Sequence, residues 1–389
     1  MSKKIGINPE GLESYIKSKS STSFKSFHNG RTCFEAYSEL TKNLVPVQQS
    51  VVSGAMADEI RNSFEGVKAE IEEIMCKAPE EERAAKVHEL LASDPVLFLN
   101  DHGPDHNIKV IERANAIVLC EMIEPLTEFE AFLLLCAVQI HDIGNILGRA
   151  GHEKKLGPLF EEKCKNIIVD TPERRIIKNI AMAHGGRSKN GKDTISELRA
   201  REDICSEKVR TRLLAAILRF ADELADDMTR ANRVAIDLDI LGTNSKIYHD
   251  YSLALHTVSI NKDEVNHDYK VNLVFELEAN SLKETFQVGG HNKYLLDEIY
   301  DRTLKMELER RYCMKFMYPY INIGRIDVNI NVYGVDSSLV KNISYTLEDL
   351  AYPDNAVSVK SGIISDASVP SGATLLQELI EKGEINESD

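Results

Sequence analysis

The feature that most constrains the fold is a run from Phe129 to Ile140, FEAFLLLCAVQI, which is apolar nearly all round and stops at His141-Asp142. A helix apolar along one stripe lies on a surface, whereas one apolar on every side is stable only among other helices. The chain must therefore supply helices that enclose this one. The run also ends by placing an imidazole and a carboxylate beside its driest element, where polar groups have to be fully hydrogen-bonded or held by a metal. A second dry segment, RLLAAILRFADELADDM from Arg212 to Met228, carries Asp222 in the same predicament.

Three regions follow from the periodicity. Residues 1–95 read as a polar, helical N-terminal region. Within it Met56, Ile60, Phe64, Val67, Ile71 and Ile74 trace one helical stripe, fit either for packing on its own domain or for a helical hairpin or dimer seam. A further helix is predicted after Pro79, with acidic residues in its first turn. Residues 96–235 form the apolar helical domain. In residues 236–389 the period becomes two: Val271, Leu273, Phe275 and Leu277 alternate with Asn272, Val274, Glu276 and Glu278, and Ile326, Val328, Ile330 and Val332 repeat the pattern. Helices are predicted from about His291 to Met317, over SLVKNISYTLEDLA, and over the terminal LLQELIEKG, with a loop from Pro353 to Thr374. The expected fold class is mainly α: a helical domain with a helical N-terminal extension and a smaller α+β C-terminal domain.

Composition narrows the function classes. Lys and Arg number 47 against 62 Asp and Glu, for a net charge of −15. That balance disfavours long nucleic acid as a partner. No apolar run approaches the roughly 20 residues of a membrane helix, and the opening residues do not form a secretory signal. Seven scattered cysteines without a CxxC pair fit reduced thiols packed as small hydrophobes in a reducing cytoplasm.

Five of the eleven histidines fall between His102 and His184. The ordered donors His106, His141, Asp142, His152, His184 and Asp222 lie mostly on or beside apolar helices. Imidazole mixed with carboxylate is the ordinary donor set for Fe, Mn, Zn or, with water, Mg. His102 and Asp105 flank His106 as hydrogen-bonding neighbours or loop residues.

The order H…HD…H…H…D, with HNIKVIERA upstream of the HD pair and an Ala-Asp dipeptide on a second dry helix, resembles the HD-domain superfamily of metal-dependent phosphohydrolases over roughly residues 96–235. The resemblance implies a first metal site of His106, His141, Asp142 and Asp222. His152 and His184 match the two histidines added by two-metal members, with Asp142 bridging. The chain departs from the HD-GYP group, which has HDIGK and a later GYP, since Asn145 replaces that lysine and no GYP follows.

The implied function is hydrolysis of a phosphoester or phosphoanhydride bond in a nucleotide or nucleotide-derived signal, by water activated on one or two divalent ions of Mn, Fe, Mg or Zn. Asp142, Arg187 and Arg219 are the candidate catalytic residues, the two arginines as phosphate partners, with Lys109 and Arg149 as further cations. The expected partner is a small phosphorylated molecule, with no membrane, and a homo-oligomer is left open. Two alternatives remain at this point, a non-catalytic nucleotide or metal sensor using the same pocket and a nuclease or oligonucleotide phosphodiesterase.

Overall fold

The computed structural model describes residues 11–19, 28, 30–53, 104–147, 151–186, 191–204, 207–228, 243–266, 268–288, 291–348 and 369–385. The stripe from Met56 to Ile74, the helix after Pro79, His102, Arg149, Arg187 and most of the Pro353–Thr374 stretch lie outside them. The chain divides into two compact units.

Unit one holds α1 (Leu12–Lys19), α2 (Cys33–Ser53), α3 (Pro104–Val118), α4 (Glu128–Ile140), α5 (His152–Cys164), α6 (Thr171–Met182), a small hairpin of β1 (Glu202–Ile204) and β2 (Glu207–Val209), and α7 (Thr211–Glu223). As its composition requires, α4 is the central element: every residue from Phe129 to Ile140 is buried, and α1, α2, α3, α6 and α7 all pack on it. Each fully buried Leu or Phe there contributes about 1.5–3 kcal/mol of transfer free energy.

A capping box starts α4. The Thr127 hydroxyl accepts from Glu130 N, and the Glu130 carboxylate accepts from Thr127 N, each at 3.1 Å. The same buried carboxylate accepts from Arg210 Nε at 2.9 Å and Nη2 at 2.5 Å, so the ends of α4 and α7 are fixed together. Helix α7 is shorter than the Arg212–Met228 span predicted for it. Leu224 and Ala225 turn their N–H groups back to Phe220 O and Asp222 O, and the following Asp226-Asp227 pair would oppose the negative end of a longer helix.

Unit two holds α8 (Thr243–Ala254) and the strands β3 (Leu255–Lys262), β4 (Tyr269–Glu278), β5 (Thr285–Val288) and β6 (His291–Tyr294). It also includes the first part of α9 (Leu295–Met317), followed by β7 (Ile323–Tyr333) from Gly324, β8 (Leu339–Glu348) and α10 (Gly372–Glu381); from Glu309 to Ile323 the chain belongs to unit one. The main sheet has the order β3-β4-β7-β8, with antiparallel registers such as Ile260↔Val271 and Ile330↔Ile343. One face buries Val271, Leu273, Phe275, Ile326, Val328 and Ile330. The fold is mainly α with a small sheet region towards the C-terminus.

Two local expectations are corrected. His291–Tyr294 is a strand paired with Thr285–Val288, and the helix starts only at Leu295, where the regularly spaced buried residues Leu296, Ile299, Tyr300 and Thr303 begin. The segment read as a helix after Ser338 is β8, an edge strand of the described sheet. Its apolar Leu339, Ile343 and Leu347 recur every four residues, a spacing that serves one helix face and one strand face alike.

The described cysteines Cys33, Cys120, Cys136, Cys164 and Cys313 are free and buried. No described helix is long and apolar enough to cross a membrane.

Candidate metal centre

The six donors arrive on separate elements of unit one. His106 is the third residue of α3. His141 and Asp142 follow the last residue of α4 and run into a 3-10 turn at Ile143–Leu147. His152 opens α5, His184 lies just beyond α6, and Asp222 is in the last turn of α7. Gly144 makes this convergence possible, because a Cβ there would stand 2.0 Å from His152 O. Only a residue without a side chain lets the start of α5 approach the HD turn.

The donors fall into two trios, His106 with His141 and Asp222, and Asp142 with His152 and His184. His106 Nε2 is 3.1 Å and His141 Nε2 3.7 Å from Asp222 Oδ1. In the other trio, His152 Nε2 is 3.1 Å and His184 Nε2 3.6 Å from Asp142 Oδ1. The second Asp142 oxygen, Oδ2, faces the first trio, 3.6 Å from His141 Nε2 and 3.8 Å from His106 Nε2. Asp142 thus presents one oxygen to each group.

Backbone carbonyls orient two of the rings. His141 Nδ1 donates to Val138 O at 2.7 Å and His184 Nδ1 to Ala181 O at 2.6 Å. A carbonyl can only accept, so each neutral ring carries its proton on Nδ1 and turns an Nε2 lone pair inward. His141 Nε2 is buried without a hydrogen-bond partner among the described residues, an atom whose burial a cation would offset. His152 Nε2 and His184 Nε2 approach to 3.2 Å, as two donors aimed at one position do. Four Nε2 atoms and two carboxylates directed at common points therefore fit a divalent ion chemically.

The charges agree with that fit. Burial pushes the His141 pKa down, but the adjacent Asp142 and Asp222 outweigh it and raise it to about 9. Burial likewise raises Asp222, yet the hydrogen bond from His106 and the nearby His141 and His106 charges hold it well below the usual carboxylate range. For His184, burial and the neighbouring His141 both lower the pKa. Asp222 and His152, with side chains 27% and 19% exposed, mark its solvent side.

Among the described residues, Arg219, Lys109 and Asp105 are not in either trio. Arg219 is 6% exposed, and its guanidinium is bound to Glu309 through Nε at 2.7 Å and Nη2 at 3.0 Å, with Nη1 donating to Lys192 O and Thr194 Oγ1. Stacked 4.5 Å from the Tyr312 ring centroid, it ties α7 to α9 and to the loop bonded to Ala183 O through Thr194. Lys109 pairs with Glu112 at 2.8 Å, and Asp105 is exposed. Among the described residues near the second trio, the donor pattern omits Glu153, a buried acid whose Oε2 lies 3.6 Å from His152 Nδ1.

A protein-family model described as HD-CE matches residues 96–305, whereas no curated protein and no solved structure matches the chain. That span covers more than half of the 389 residues and includes all six convergent donors, and on this ground the chain belongs to the HD-CE family, with an HD-type domain whose His and Asp groups could bind a divalent metal.

Proposed function

We propose that this domain is a metal-dependent phosphohydrolase, acting on a phosphoester or phosphoanhydride bond of a nucleotide or nucleotide-derived signal. The observation that carries the reading is the sharing of Asp142 between two three-donor groups. When bound, a divalent pair lowers the pKa of water and neutralises charge developing on phosphoryl oxygens.

The residues of the chain supply the rest. His106, His141 and Asp222 hold one position and His152, His184 and Asp142 the other. The carbonyls of Val138 and Ala181 lock two rings in the required tautomer. The buried walls from α4 and α7 keep bulk water from the inner side, which strengthens electrostatic effects at the reacting phosphorus. Arg187 remains our candidate phosphate partner. Arg219, bound by Glu309, is reassigned to holding α7 in place. The net charge of −15 favours small anions gathered at a locally cationic pocket over long polyanions, and the buried free thiols suit a cytoplasmic setting.

The test is a panel of nucleoside mono-, di- and triphosphates, cyclic nucleotides and oligonucleotides, each with Mn²⁺, Mg²⁺, Fe²⁺ or Zn²⁺, on wild type and Asp142→Ala. Hydrolysis of a small member by wild type, abolished in the variant, is the expected result. Metal uptake with no turnover of any member would overturn the catalytic reading in favour of a sensor.

A further inference from the structure

We infer that Thr194 is a positioning residue for the second trio: its hydroxyl fixes the backbone that carries His184, and the Arg219 guanidinium behind it fixes the hydroxyl. The inference rests on the metal-site reading above and adds to it a residue outside the HD pattern.

His184 lies past the end of α6, where the helix no longer dictates the path of the chain. The helix closes at Met182, Ala183 N donates to Asn179 O and Ile180 O, each at 3.2 Å, and the backbone turns left-handed at Gly186, φ +76°. The last carbonyls of a helix lack intrahelical donors. Ala183 O stands at this end, in a residue 3% exposed, and it belongs to the peptide unit that also contains His184 N. Thr194 Oγ1 donates to it at 2.8 Å. The His184 ring is set separately, by Nδ1 donating to Ala181 O at 2.6 Å. One hydrogen bond therefore orients the ring, and another orients the peptide plane from which the residue departs.

The hydroxyl is itself held in place. Arg219 Nη1 donates to Thr194 Oγ1 at 3.0 Å and to Lys192 O at 3.1 Å, while Nε and Nη2 bind the Glu309 carboxylate. A hydroxyl has one proton to give, and accepting from a cation polarises it towards its own acceptor. Arg219 lies on α7 three residues before Asp222, so the same hydroxyl joins the helix of the first trio's carboxylate to the segment bearing His184. The rest of the Thr194 loop is anchored independently. Tyr312 Oη donates to Asp193 Oδ1 at 2.8 Å and accepts from Ile195 N at 3.0 Å, and Arg212 Nη2 donates to Ser196 O at 2.7 Å. Removing the hydroxyl alone therefore releases the peptide before His184 and leaves the loop anchored. Asp222 keeps its place because α7 packs on α3, α4 and α6, so the loss falls on the second position.

The experiment titrates full-length, metal-stripped wild type, Thr194→Val, Thr194→Ala and Thr194→Ser with Mn²⁺ by calorimetry. Bound metal is counted after dialysis, and circular dichroism and thermal denaturation check the fold. Valine keeps the branched shape without the hydroxyl, alanine removes the hydroxyl and adds no group that could clash, and serine keeps it. The net worth of one hydrogen bond corresponds to a change of about 2–10-fold. We expect one of two ions to weaken by that factor in the Val and Ala variants, the same ion that His184→Ala removes, with the other bound as in wild type. Serine should restore wild-type affinity. Val and Ala proteins that melt earlier yet bind each ion with wild-type affinity show a scaffold role only and overturn the inference, as does equal weakening of both ions in folded protein. A wild type that takes up no metal overturns the metal-site reading itself, and this inference with it.

Discussion

Replacing Asp142 by asparagine should disturb both metal positions at once, which no other single substitution among the six donors should do. The carboxylate offers Oδ1 to His152 and His184 at 3.1 and 3.6 Å and Oδ2 to His141 and His106 at 3.6 and 3.8 Å. Asparagine keeps the shape but removes the charge and turns one oxygen into an NH₂ group with no lone pair to give. A unit charge at about 4 Å and an effective dielectric constant of about 20 is worth about 4 kcal/mol. At about 1.4 kcal/mol per decade this is an upper limit of about a thousandfold in affinity per unit of ion charge. Calorimetric Mn²⁺ titration with metal counting reads the effect directly. His141→Ala should weaken only the first ion and His184→Ala only the second, whereas Asp142→Asn should weaken both. If Asp142→Asn retains one ion at wild-type affinity, Asp142 does not bridge.

Two further predictions concern stability, one in each unit. Glu130→Gln leaves Arg210, 7% exposed, without the anion that both Nε and Nη2 address, and breaking a buried pair in this way costs about 3–5 kcal/mol. Thermal denaturation should register a fall of several degrees, and a loss under about 1 kcal/mol would show that the neutral amide satisfies Arg210. In unit two, burial raises the Asp250 pKa from 3.8 to about 6 despite Lys246 nearby. Between those values the folded chain holds a proton that the unfolded chain releases, so this group's contribution to stability declines as pH rises from about 4 to about 6. Two pKa units correspond to about 3 kcal/mol at most, and partial exposure reduces that to about 1–2. Asp250→Asn should therefore stabilise the protein at pH 7 and much less at pH 4. An equal gain at both pH values would refute the ionisation argument.

The convergent donors were legible in sequence because each stood where burial made its presence expensive. A histidine and aspartate ending FEAFLLLCAVQI, or an aspartate within LLAAILRFAD, needs a partner whatever the fold. The enclosing helices followed from the same dryness. What the order of residues could not convey were pairings made across long separations. Arg219 looked available for phosphate because its anion, Glu309, lies 90 residues away, on a helix whose charges resemble any solvated face. The strand β8 was misread for a related reason: an apolar spacing of four is common to helix and strand, and only pairing with β7 decides between them.

Glu153 marks the limit of the sequence signal. In HEKKLG it is one charge in a polar helix start, indistinguishable from a dipole-favoured surface acid. Its burial depends on Gly186, 33 positions later, adopting a left-handed backbone that leaves room for a carboxylate, and on Gly144 letting His152 O come within what would be contact distance of a Cβ. Both glycines act by lacking a side chain, so neither announces in sequence which group fills the space. The donors of such a centre can be read one at a time from the cost of burying them. The groups that pack behind the donors emerge only when backbone positions distant in sequence are brought into contact, as Gly186 and Glu153 are.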